Sequence, residues 1–251
     1  MKKIFAAILV LALALCACAF AEEEIALGND KSEGVMTYAE YMAAEIDAPV
    51  VIEAYVQATQ SWYQDKITVY AADEDGAYFI YNMACSEADA ANLIPGTKIR
   101  VEGFKAEWSG EIEIAEGATF EFEEAEPFFA RPVDVTGLLG TDALAEKMNQ
   151  LVSFKGMTVE PSKIEGDDAD YAFLYNWDGS GEAGTDSDLY FNVSKDGVTY
   201  TFTVEYYLCN ENTEAYQAVT ALEIGQVVDL EGFLYWYNGA NPHITNVIVA
   251  E

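Results

Sequence analysis

Apolar and polar positions alternate along most of the chain, and glycine or Asp-Gly pairs break the alternation at intervals. Ala48–Val56 (APVVIEAYV) reads as a strand. Ile67–Asn82 reads as two strands joined at Asp75-Gly76, because Asp-Gly between β-branched and aromatic runs favours a tight hairpin. Ser86–Leu93 reads as a short helix, Leu93–Gly110 as a strand after Gly96, and the segment near Glu111 (EIEIAEG) as a closing strand. A helix is also expected from Thr37, where Thr37-x-x-Glu40 has the spacing of a capping box.

The same order then recurs. A helix is expected from Thr141, a strand over Gln150–Thr158, and a hairpin over Leu189–Tyr207 turning at Asp196-Gly197. A helix over Thr213–Leu222, a strand to Gly239 and a last strand from His243 complete the second copy. Leu93–Gly110 lies over Leu222–Gly239, with Leu93, Gly96, Ile99, Val101, Gly103, Phe104 and Gly110 matching Leu222, Gly225, Val228, Leu230, Gly232, Phe233 and Gly239. Matching residue types fall on matching strand faces. Gly103 and Gly232, each interrupting an alternating run, are expected at bulges or bends.

Strand, hairpin, helix, strand, strand is the order of the OB-fold, a five-stranded Greek-key barrel with a helix between its third and fourth strands. The expected fold is mainly β: two tandem OB-fold-like barrels. The boundaries are a signal peptide at 1–21, a linker at 22–36, a first domain at 37–122, a linker at 123–132 and a second domain at 133–251. The second domain carries an acidic insertion at 165–188, in which YAFLYNW reads as an extra strand. The stretches Val35–Trp62, Asp73–Glu87 and Leu93–Ile114 resemble a group of uncharacterised secreted or lipid-anchored OB-fold proteins of Gram-positive gut bacteria. The resemblance implies the fold and an extracellular setting, and carries no site residues.

The leader reading rests on Lys2 and Lys3, the apolar run Ile4–Leu15 and the Ala19-Phe20-Ala21 cleavage pattern. Leu15-Cys16-Ala17-Cys18 also resembles a lipobox, so lipidation at Cys18 stands as the alternative to free secretion. Removing residues 1–21 takes the formal charge from −32 to −34. That excess repels polyanions and attracts cations, and is otherwise a solvated coat. Cys85 and Cys209 then remain, at equivalent places in the two copies, either as an interdomain disulfide or as two small buried side chains.

Candidate chemistry centres on aromatic residues. Trp62, Tyr63, Tyr70, Tyr78 and Trp108 fall on or beside strands whose outer face binds ligands in OB-folds, and Trp177, Tyr190, Tyr200, Tyr235 and Trp236 fall in similar places in the second copy. Such rings form a stacking platform or fill the barrels. Asp178, Glu182, Asp186 and Asp188, with Ser180, supply oxygens for calcium but lack EF-hand spacing. His243 is the sole histidine, and no nucleophile motif accompanies it, so an enzyme is not expected. The expected function is a non-catalytic extracellular module binding a glycan or peptide on the aromatic face. Nucleic-acid binding through the OB-fold and a calcium-responsive structural or adhesion role are the alternatives. Phosphate contacts need basic residues, and Lys66, Lys98, Arg100 and Lys105 sit among many more acids, which disfavours nucleic acid.

Overall fold

The computed structural model describes residues 31–249. The expected signal peptide and the Cys18 lipidation site lie outside the described residues. The chain runs α1 (Tyr38–Ala43), β1 (Pro49–Thr59), β2 (Lys66–Ala72), β3 (Ala77–Ala84), α2 (Glu87–Ala90), β4 (Lys98–Trp108), β5 (Glu111–Ile114) and β6 (Thr119–Glu123). It continues through β7 (Val133–Asp134), two 3-10 turns (Thr136–Leu138 and Asp142–Lys147), β8 (Leu151–Glu160), β9 (Leu174–Tyr175) and β10 (Leu189–Lys195). The last elements are β11 (Val198–Val204), α3 (Glu214–Thr220), β12 (Val227–Phe233) and β13 (His243–Val249).

Two barrels close. In the first, the order β1-β2-β3-β5-β4 returns to β1 through β1–β4 pairing; in the second, β8-β12-β13-β11-β10 returns through β8–β10. Each has one parallel seam, β3 with β5 and β11 with β13, at equivalent places in the two copies. Both are OB-folds, as the element order predicts. Each barrel has its own core, one including Val50, Ile52, Ile80, Ile99 and Val101 and the other Val152, Phe154, Phe191, Val228 and Leu230. Burial of alternate residues is the driving term for both.

Several expectations are refined. Thr37 and Glu40 form the capping box, whereas Thr141 makes no side-chain cap and the segment after it is a 3-10 turn. Asp196 and Gly197 both have positive φ, as a two-residue hairpin turn requires. The Asp75-Gly76 turn is built differently: Asp73 Oδ1 accepts from the backbone N–H groups of Asp75 and Gly76, each at 2.8 Å. Gly76 is needed because a Cβ there would lie 2.4 Å from the Tyr38 ring. Gly232 sits at a register shift, as expected, but Gly103 pairs regularly with Val50. Gly103 is instead a packing glycine, since a Cβ would meet Ile114 Cγ2 at 2.6 Å.

The chain also adds strands beyond the repeat. β6 pairs with β4, and the extra strand of the insertion is only β9, paired with β10. The connector after β6 is strapped to the first barrel, because Gln57 donates to the Phe128 carbonyl and accepts from the Ala130 N–H. Cys85 and Cys209 are both buried free thiols, which corrects the disulfide alternative. Each fills a slot in its own barrel's core.

Candidate functional site: a cleft between the barrels

The two barrels meet through a third apolar cluster of Tyr70, Phe79 and Phe233. Tyr70 stacks on Phe233 with ring centroids 4.3 Å apart. Its hydroxyl is 2.8 Å from His243 Nδ1. Burial pushes the His243 imidazole down to about 3, so it is neutral and holds a structural hydrogen bond. Polar staples surround this cluster. The Ser61 N–H donates to the Tyr207 carbonyl at 2.7 Å, Gln60 Nε2 to Glu205 at 3.1 Å, and the Asn238 N–H to the Ser109 carbonyl at 2.7 Å. The Trp236 N–H donates to Glu111 at 2.7 Å, and Asn149 Nδ2 to the Ile112 carbonyl at 3.0 Å.

Beside the cluster a cavity of about 480 Å³ opens between the barrels. Strand alternation dictates its first wall. Glu113 pairs with Phe79 on β3 and with Ala106 on β4, while Trp108 pairs with Glu111. Glu111, Glu113, Ala106 and Trp108 therefore share one face of the β4–β5 hairpin, continued by Phe79 and Tyr81 on β3. The opposite wall comes from the equivalent seam of the second barrel. There Thr203 pairs with Tyr190 on one side and His243 on the other, and Asp188, Glu205, Tyr235, Tyr237 and Asn241 complete the lining. Trp108 is 60% exposed and Tyr237 54%, whereas Phe79 and His243 are buried beneath them. A second recess of about 640 Å³, lined by Tyr63, Trp62 and Tyr207, shares Gln60 and Tyr81 with the first.

The polar groups of the cleft are unusual for carboxylates. Burial raises Glu113 to about 7. Burial, reinforced by the Asp188 charge, raises Glu205 to about 7 against three hydrogen bonds, from Gln60 and from the N–H groups of Tyr207 and Leu208. Asp188 is raised by burial and accepts from the Tyr206 N–H at 2.8 Å. Just behind, Glu111 is fully buried and raised to about 8. One oxygen of Glu111 and the side-chain oxygen of Asn149 have no partner among the described residues.

The expected platform residues separate. Trp108, Tyr190 and Tyr235 line the cleft, and Tyr63 and Trp62 line the adjoining recess. Trp62 is nevertheless anchored, its Nε1 donating to the Cys85 carbonyl at 2.8 Å. Tyr70 and Tyr78 are fully buried, which corrects their place on an outer face. Tyr70 fills the interbarrel cluster, and Tyr78 packs edge-on to Tyr38 and Tyr41 inside the first barrel. Tyr200 and Trp236 pack against the second core, and Trp177, 75% exposed, sits on the insertion.

The calcium candidates are also dispersed. Asp178 caps its own turn at Ser180, Asp186 lines the recess with Tyr63, and Asp188 lines the cleft. Among the described residues no group of three or more histidine, cysteine, aspartate or glutamate side chains converges as a metal site. Sequence reasoning missed Phe79, Tyr81, Glu113, Glu205 and Tyr237. Their only signal was the equivalence of the two copies, since nothing in a strand pattern says that equivalent seams will face each other.

No protein-family model and no curated protein matches the sequence. Solved structures do align. One, described as a murine DNA binding protein bound with ds DNA, is 14% identical with a TM-score of 0.36, covering 81% of this chain and 100% of that one. Another, the Ifi202 HINa domain in complex with 20bp dsDNA, is 13% identical with a TM-score of 0.35, covering 81% and 98%. A replication protein A heterotrimer bound to ssDNA is 11% identical with a TM-score of 0.29, covering 81% and 49%. The ligands named for these neighbours are DNA. The expectation of a glycan or peptide ligand, with nucleic acid disfavoured as a partner, finds no support among them and is withdrawn. At such identities and TM-scores the likeness says nothing of what this chain binds, which has to be argued from its own cleft.

Proposed function

We propose that the protein is a nucleic-acid-binding module that takes unpaired bases of a single strand into the cleft between its barrels. The observation that carries this reading is the pairing of exposed rings with buried and half-buried polar groups in one cavity. Trp108, Tyr81 and Tyr237 offer ring surfaces at its mouth, and Glu113, Asn241 and Glu205 lie against it. A flat heterocycle with hydrogen-bonding edges fits that arrangement, because every base has a π-face to stack and an edge to pair.

Recognition would run through bases rather than the sugar-phosphate chain. Lys98 is held by Glu53 and Glu123 at 2.7 and 2.9 Å, and Arg100 by Glu102 at 2.7 Å. Lys66 is paired with Glu116, and Lys105 donates to the carbonyls of Met42 and Ala44. The basic residues flagged by the sequence thus serve the first barrel itself. In the same reading the chain works outside the cytoplasm, on the leader-like character of residues 1–21.

The test is a titration of residues 22–251 with a short single-stranded oligonucleotide, followed by tryptophan fluorescence. Binding with quenching is expected. Trp108→Ala should weaken it about tenfold or more, since a stacked base contributes roughly 1–3 kcal/mol. Unchanged affinity in that variant would sink the cleft as the site.

A further inference from the structure

Glu113 is 8% exposed as a residue, lines the cavity and accepts no side-chain hydrogen bond among the described residues, its carboxyl oxygens keeping access to the cleft. A carboxyl so little hydrated and without a protein partner marks a place where a ligand donor gains more than it would in water. The strand registers locate it. Glu113 is flanked by Phe79 on β3 and Ala106 on β4, and Trp108 stands one step along the same face. Trp108 and Glu113, diagonal neighbours on the β4–β5 hairpin, both line the cavity. Across the cleft stand Asp188 and Glu205, again acceptors.

A ring stacked on Trp108 would therefore turn its edge toward groups that accept hydrogen bonds. We propose that Glu113 makes the cleft selective for the donor-bearing edge of a base, above all the N1–H and N2–H pair of guanine, over the oxo edges of thymine and uracil. This rests on the base-binding reading. The two N–H groups of guanine are parallel and spaced to meet both oxygens of one carboxylate. Thymine offers a single N–H between two carbonyls, and those carbonyls would face Glu113 with like partial charge. A matched bidentate pair discriminates by about tenfold or more.

The experiment compares a short oligothymidylate with the same oligomer carrying one central guanine, against the wild type, Glu113→Gln and Trp108→Ala. The guanine oligomer should bind the wild type about tenfold more tightly or better. Glu113→Gln should erase that preference by weakening the guanine oligomer about tenfold or more and lifting the repulsion of the thymine carbonyls, and Trp108→Ala should weaken both oligomers. Equal affinity of the wild type for the two, with Trp108→Ala still weakening them, overturns the edge selectivity and leaves base stacking standing. Binding of neither oligomer overturns both readings. A preference that survives Glu113→Gln but falls in Asp188→Asn overturns the assignment to Glu113.

Discussion

Glu111 shows what one buried side chain does when its neighbours only partly satisfy it. Its carboxyl accepts from the Trp236 N–H, yet burial outweighs that bond and lifts its pKa to about 8. Raising a carboxyl means the folded state holds a proton that the unfolded chain, near 4.5, releases. Stability from this group is full below about 4.5 and is lost as pH rises toward 8; Glu113 and Glu205, raised to about 7, act in the same direction. His243 acts oppositely, because burial lowers it to about 3, so its contribution is present above about 6.5 and lost as pH falls. Glu111→Gln keeps the shape and removes the titration. Its melting temperature should exceed that of the wild type above pH 8 by roughly 5–10 °C, from on the order of 2–4 kcal/mol. Melting curves of both proteins between pH 5 and about 9 check this, and parallel pH profiles would refute it.

Elements in the two copies answer to different local demands although their sequences align. Gly232 occupies a register shift, where a Cβ would lie 2.2 Å from the His243 carbonyl oxygen. Its counterpart Gly103 has ordinary pairing, and space rather than backbone conformation requires it. Gly103→Ala should destabilise the first barrel by about 1–3 kcal/mol, the usual cost of overpacking. A denaturant midpoint equal to that of the wild type would contradict the packing account. The two Asp-Gly turns differ likewise: one uses positive φ at both residues, the other the Asp73 carboxylate and an approach to Tyr38.

Across the whole molecule, the interbarrel cluster and its hydrogen bonds make two barrels into one body with a cleft. Phe233→Ala removes the ring stacked on Tyr70 and should cost about 3–5 kcal/mol. The expected signature is a split thermal transition where the wild type melts in one step; a single, unshifted transition would show that the cluster does not couple the barrels. The charge distribution makes a separate prediction. With Lys66, Lys98 and Arg100 engaged by glutamates, oligonucleotide affinity should depend weakly on salt. A steep loss between low and physiological ionic strength would place phosphates, not bases, at the centre of recognition.

The order of elements, the two barrels and the helix between third and fourth strands were legible in the sequence, because alternation, Asp-Gly turns and glycine spacing are local signals and occur twice in register. Some rings that line the cleft, Trp108, Tyr190 and Tyr235, were among the aromatics the sequence singled out, but not which rings point out: Tyr70 and Tyr78 have the same alternation as exposed tyrosines and are buried by what covers them. The cleft itself was not legible. Glu113 reads as one acid among many in EIEIAEG until β5 is set beside β3 and against the seam of the second barrel. Strand periodicity determines which face a residue takes, and the docking of two faces far apart in the chain decides whether that face meets water, a core or a ligand.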